Sequence, residues 1–167
     1  ERHFDKSYEL EEELKSAEKY DRLERVRQIA ELADIHYVRQ KERDGLGDAV
    51  RYAKHHVGDD SFALLLGDTI IQSDVPCTKR LIQEAETNGT STISLERVPW
   101  DDVPSYGVAD IEGTPSSQSS FPVTDFVEKP ARDAAPSNLA ITGRYVLTSE
   151  IFDALESIIQ GVGGELQ

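Results

Sequence analysis

Phe62-Ala63-Leu64-Leu65-Leu66-Gly67-Asp68-Thr69 is the stretch that decides the fold class of this chain. Its apolar run is too short for a helix and has the length of a strand covered on both faces, as strands are in an α/β sheet. The run stops at Gly-Asp, which puts a carboxylate at the carboxyl end of the strand, the edge where open α/β sheets bind ligands. A hard oxygen ligand there suits Mg²⁺ held against a phosphate; the plain alternative for Asp68 is a turn or helix cap. Further along, Val123 to Val127 leads into Glu128-Lys129-Pro130. That strand end offers an acceptor for hydroxyls beside a cation for a phosphate, with Pro130 fixing the exit. Its plain alternative is a surface ion pair.

Working outward, Leu10, Leu14 and Ala17, then Leu23, Val26, Ile29, Ala30 and Ala33, recur at helical spacing among charges. They predict two amphipathic helices with Ser7 and Asp21 as caps. Ile35 to Arg39 reads as a strand with Gln40 at its end. Asp44-Gly45-Leu46-Gly47 breaks the chain before a helix of about ten residues through Val50, Ala53 and Val57. After the strand ending at Asp68 comes a helix from Cys77 to Glu86 closed by Asn88-Gly89, then a strand over 92–98. This alternation predicts a parallel, three-layer α/β sheet. Tyr106 to Ile111 and Val123 to Val127 read as a hairpin around the polar tract 113–120. Leu139 to Leu147 is a further strand, and Ser149 caps a helix carrying Ile151, Phe152, Leu155 and Ile158. Gly161 to Gly164 reads as a turn.

At 167 residues the chain has room for one domain, 1–167, with a sizeable core. No run approaches the length of a membrane span and no signal peptide opens the chain, which predicts a soluble, cytoplasmic protein. The single Cys77 has no cysteine partner for a disulfide or a zinc site and is expected to pack at a helix start. A formal charge of −14 argues against a nucleic-acid partner, since phosphate backbones need a basic face, but leaves a nucleotide open. His3, His36, His55 and His56 have no metal-ligand spacing. The absence of Met, with Glu1 first, reads as an internal or processed piece of a longer chain.

Eight short motifs then occur in order: Asp5-Lys6-Ser7-Tyr8-Glu9-Leu10-Glu11, Tyr37-Val38-Arg39-Gln40, Gly45-Leu46-Gly47, Leu66-Gly67-Asp68, Tyr106-Gly107-Val108, Val127-Glu128-Lys129-Pro130, Ala135-Pro136-Ser137-Asn138-Leu139-Ala140 and Gly143-Arg144-Tyr145. In this order they resemble the prokaryotic-type UTP–glucose-1-phosphate uridylyltransferases. The resemblance implies a Rossmann-like nucleotide-diphospho-sugar transferase fold, with a mostly parallel mixed sheet flanked by helices. It implies a reaction of UTP with glucose 1-phosphate that yields UDP-glucose and pyrophosphate, Mg²⁺ as cofactor, and a homo-oligomer at full length.

The resemblance also implies roles. Gln40 would read the uracil edge with the Gly45 backbone assisting, where the bare sequence equally allows a solvent-facing Gln before a turn. Asp68 would ligate Mg²⁺. Gly107 would admit the sugar hydroxyls, Glu128 would accept their hydrogen bonds and Lys129 would hold the phosphate of glucose 1-phosphate. Asn138 and Gly143 would line the sugar pocket, while Arg144 is expected to pair with an acidic neighbour.

The family opens with a Gly-rich, basic loop that cradles the triphosphate, and no such loop lies in this sequence, so the 167 residues alone are expected to have little transferase activity. Asp48 stands where many relatives carry His, and Thr69 where Asp or Asn is common. The alternatives are a thymidylyl- or adenylyltransferase on the same sugar phosphate, or a non-catalytic sugar-nucleotide-binding domain.

Overall fold

A computed structural model describes residues 6–42, 44–113 and 120–157. Glu1, His3, Asp5, most of the 113–120 tract, Ile158 and the 161–164 turn lie outside the described residues. The chain divides into two compact units, 1–43 and 44–167.

In the first unit, α1 (Tyr8–Ser16) packs on α2 (Tyr20–Ala30). Ser7 caps α1, its hydroxyl accepting from the Leu10 amide at 3.5 Å. Lys19 N–H returns to Leu14 O at 2.8 Å past Glu18, whose φ of 55° ends the helix. Asp21 is not a cap: Lys19 holds that position, and Asp21 lies inside the first turn, where its charge still complements the helix dipole. Leu23 is buried, and Arg27 pairs with Glu11 at 2.8 Å across the two helices. Residues 33–40 have no regular structure, so the strand expected at 35–39 does not form. Its apolar side chains Tyr37 and Val38 are about half exposed (49% and 55%), and without a buried face the pattern alone does not hold a strand.

The second unit runs α3 (Gly45–Arg51), α4 (Lys54–Val57), β1 (Phe62–Leu65), α5 (Cys77–Asn88), β2 (Thr92–Arg97), a 3₁₀ turn (Val103–Ser105), β3 (Gly107–Ile111), β4 (Val123–Glu128), β5 (Leu139–Leu147) and α6 (Glu150–Ser157). The helix expected from Gly47 onward starts earlier and is cut in two, because Ala53 N–H bonds back three residues to Val50 O and tightens the turn. Gly89 closes α5 in the left-handed conformation, as Asn88-Gly89 predicts. Ser149 directly precedes α6, and its carbonyl accepts from the Phe152 amide.

Three layers do form. Phe62 and Leu64 pack into a core with Val50, Phe152 and Leu155 on α3 and α6, and the Phe62 and Phe152 rings stack at 5.5 Å. On the opposite face α5 packs against β2 and β5, with Leu81 buried. β1 stands at the end of the strand order β1-β5-β3-β4, and α5 covers it only partly. A cleft of about 440 Å³ remains between Ala63 and the α5 residues Ile82 and Ala85, and Leu65 is 52% exposed. The apolar run is thus covered on one face and open on the other, not buried on both.

The sheet is built on β5. β1 and β2 both pair with it, each antiparallel and both reaching Tyr145 and Val146, so they lie on opposite edges of β5 and run the same way as each other. The helical connection through α5 therefore does produce two co-directional strands. The reversed β5 separates them, which makes the described ladders antiparallel where a mostly parallel sheet was expected.

Candidate active site

Two strand ends meet this description of a site. The first is the end of the β3–β4 hairpin. Register sets Gly107 opposite Glu128, and the Lys129 amide closes the ladder onto Tyr106 O at 3.0 Å. The Glu128 side chain folds back over Gly107, where a β-carbon would meet Oε2 at 2.8 Å and Ile141 Cδ1 at 3.2 Å. A side chain at 107 would thus have to displace the Glu128 carboxylate and the end of Ile141. Lys129 has φ of 45°, a left-handed conformation that costs a bulky residue energy and is commonly kept at functional positions. Its ammonium lies 3.6 Å from Glu128 Oε1, and both side chains are more than half exposed. This is the surface ion pair that the bare sequence allowed, and such a pair is weak enough to be exchanged for a ligand. Pro130 behind it is buried.

Half-buried Tyr145 on β5 belongs to the same neighbourhood. Burial pushes its phenol above the usual tyrosine range, and the Glu128 carboxylate raises it further. Both effects favour the neutral phenol.

The second strand end is that of β1. The β2–β5 register shifts between Ile93 and Leu95, and the surplus residues form a bulge at Thr142-Gly143-Arg144. Gly143 takes φ of 69°, and its α-hydrogens face the Leu66 side chain, so that a β-carbon would stand 3.0 Å from Leu66 Cδ1. The Leu66 amide donates to Gly143 O at 3.0 Å. Arg144 reaches over the turn: its guanidinium donates to Leu66 O at 2.8 Å, to Gly143 O at 2.9 Å and to Thr69 O. It pairs with carbonyls, not with the acidic neighbour expected from the sequence. Asp68 sits exposed on the held turn, and its carboxylate accepts from the Thr69 hydroxyl at 3.5 Å.

The remaining candidates separate. Asn138 is occupied as a latch: its amide donates to Val98 O at 2.7 Å, its oxygen accepts from Arg97 at 3.0 Å, and its carbonyl accepts from the Val98 amide. It joins the end of β2 to the start of β5. Gly45 opens α3 and is half-buried, and Gln40, also half-buried, belongs to the first unit. Cys77 begins α5, half-buried, as expected for a packing role.

Among the described residues no cluster of three His, Cys, Asp or Glu side chains could cage a metal ion. The ligand expected from the sequence, Asp68, is a single exposed carboxylate. That fits Mg²⁺, which keeps most of its water and is bound through one or two carboxylates together with substrate phosphates. It does not fit a structural zinc or calcium cage.

The family model for nucleotidyl transferases matches residues 5–163. The chain belongs to the nucleotidyl transferase family. The match runs through both units, 1–43 and 44–167. Among curated relatives of this nucleotidyl transferase domain, the UTP–glucose-1-phosphate uridylyltransferase of Staphylococcus epidermidis is 50% identical over 167 residues, covering 99% of this chain and 57% of that protein. Among solved structures, a UDP-glucose pyrophosphorylase from Acinetobacter baumannii superposes with a TM-score of 0.86 at 36% identity, covering 99% of this chain and 57% of that one. A UDP-glucose pyrophosphorylase complexed with UDP-glucose superposes with a TM-score of 0.83 at 34% identity, covering 99% and 60%. The chain thus spans a little over half the length of the relatives it matches.

The sequence reading expected only an acidic partner for Arg144 and gave Tyr145 no role, so it missed where both stand at these strand ends. The signal that could have found them is Gly143: a glycine inside a strand marks a bulge, and a bulge re-aims the residues beside it.

Proposed function

We propose that this chain carries the sugar-phosphate side and the metal-binding carboxylate of an enzyme that makes UDP-glucose and pyrophosphate from UTP and glucose 1-phosphate. The observation that carries the reading is the strand end at which Glu128 lies over Gly107 with Lys129 beside it in a strained conformation. The relatives named uridylyltransferase, and the neighbour complexed with UDP-glucose, support it.

In this reading Glu128 accepts hydrogen bonds from the sugar hydroxyls, in the space that a side chain at Gly107 would fill. Lys129 leaves its exposed pair with Glu128 and donates to the glucose-1-phosphate oxygens. Asp68 holds Mg²⁺, which when bound neutralises charge between nucleotide and sugar phosphate. The attacking phosphate oxygen is already anionic: it forms a bond to the α-phosphorus of UTP while the bond to pyrophosphate breaks, so no general base is needed. Catalysis rests on positioning and charge neutralisation. Gln40 reads the uracil edge, the Gly45 backbone has a role toward the base, and Asn138 and Gly143 support the sugar side. Both units then form parts of one catalytic domain. A cytoplasmic setting and a homo-oligomeric whole protein go with the same reading. Among the described residues no helix is long and apolar enough to cross a membrane.

The test is pyrophosphate release by the whole protein from glucose 1-phosphate with UTP, dTTP or ATP. Preference for UTP, dependence on Mg²⁺ and loss of turnover in Asp68→Asn and Lys129→Ala are expected. Preference for dTTP or ATP would move the protein to the thymidylyl- or adenylyltransferases, and no release with any nucleotide would leave a binding domain.

A further inference from the structure

Arg144 is a long cation whose three donor contacts all go to backbone carbonyls, two on the turn after β1 and one on its own neighbour Gly143. Among the described residues it forms no ion pair, although the chain carries a large acidic excess. Leu66 O and Thr69 O bracket Gly67-Asp68, so the guanidinium grips that turn at both ends from the side of the β5 bulge. The Leu66 amide is fixed by Gly143 O, which leaves both backbone groups of Leu66 held by two neighbouring residues of the same bulge, Gly143 and Arg144. A trans peptide points its N–H opposite its C=O. Drawing the Leu66 and Thr69 carbonyls toward Arg144 therefore turns the Gly67 and Ile70 amides away from it.

We propose that Arg144 is the positioning residue for Asp68: its planar fork presets the Gly67–Asp68 turn so that the carboxylate meets a divalent cation without first ordering the loop. The proposal rests on the reading of Asp68 as the metal ligand. A planar guanidinium satisfies several carbonyls at fixed angles, which a lysine ammonium cannot reproduce. Partners that orient a metal ligand from behind typically change metal affinity about tenfold or more when removed. Arg144 touches neither substrate nor metal in this account; it acts through the turn.

The experiment is a Mn²⁺ titration of the chain in the presence of UDP-glucose, followed by paramagnetic broadening of backbone amide resonances, with exposed carboxylates elsewhere as internal reference. The chain should lose the Gly67, Asp68 and Thr69 signals at lower Mn²⁺ than the reference sites, and Asp68→Asn should abolish that preference. Arg144→Gln should need about tenfold more Mn²⁺ for the same broadening at 67–69, and Arg144→Lys should fall between, with the remaining amide spectrum retained in both. If Arg144→Gln does not fold, Arg144→Lys carries the test alone. An unchanged Mn²⁺ response at 67–69 in the folded Arg144 variants, with Asp68→Asn still abolishing it, would overturn the positioning role and leave the metal ligand standing. No localised broadening in the starting chain, or none lost in Asp68→Asn, would overturn the metal reading and the proposal with it.

Discussion

The Glu128 carboxylate lies across the α-carbon of Gly107, so close that a β-carbon at 107 would stand 2.8 Å from Oε2. Gly107→Ala therefore displaces the proposed sugar acceptor without touching it chemically. The carboxylate end can swing aside but Ile141 must also give, so the expected loss of stability is about 1 kcal/mol, measured by urea unfolding. Affinity for UDP-glucose should fall about tenfold, the value of one hydrogen bond to a charged group.

Gly143 combines two penalties that can be told apart. A side chain there meets the Leu66 side chain at 3.0–3.1 Å and also holds φ at 69°. Gly143→Ala should cost about 2 kcal/mol of unfolding free energy. Adding Leu66→Ala should make the Gly143 substitution cheaper than it is alone, because it removes the Cγ and Cδ1 contacts while leaving the Cβ contact at 3.1 Å and the backbone strain. Strictly additive losses in the double variant would show that the two residues do not press on each other.

Lys129 should show stability and binding moving in opposite directions. Its φ of 45° is a conformation that glycine adopts freely. Lys129→Gly is expected to raise the urea midpoint, by roughly 1 kcal/mol of relieved strain, while weakening UDP-glucose binding through loss of the cation. A variant destabilised at this position would remove the argument that the strain is kept for function.

These strand ends were legible in the sequence because they are local: an apolar run, a Gly-Asp or Glu-Lys-Pro stop, and a glycine closing a helix. The segment 35–39 misled because its residue types favour a strand, yet nothing in their spacing reveals whether a face will be buried. The mostly parallel sheet was expected for a similar reason. Alternating elements do specify that β1 and β2 run the same way, but only tertiary pairing shows that β5 lies between them. The Arg144 grip on Leu66 O joins residues 78 positions apart, and Asn138 reaches back 40 positions to Val98, so neither has a local signature.

Tyr145 gives the site a pH signature. Burial and the Glu128 carboxylate raise its phenol, so the neutral form is favoured in the folded chain. Its contribution to stability is then fully present below the ordinary tyrosine range near pH 10 and is lost as pH rises through the folded value. Glu128→Gln should shift this one phenol to lower pH while burial still holds it above the ordinary range. Phenolate absorbance, with Tyr145→Phe as the difference reference, reads the shift; an unmoved titration would separate Glu128 from Tyr145.

The most direct test of the sugar-nucleotide site is calorimetric titration of the chain with UDP-glucose in the presence of Mg²⁺, beside dTDP-glucose and ADP-glucose, for the unaltered sequence and for Glu128→Gln. The account predicts binding that prefers UDP-glucose, needs Mg²⁺ for full strength and weakens about tenfold in Glu128→Gln. Equal binding of UDP-glucose by the unaltered chain and by Glu128→Gln would contradict it.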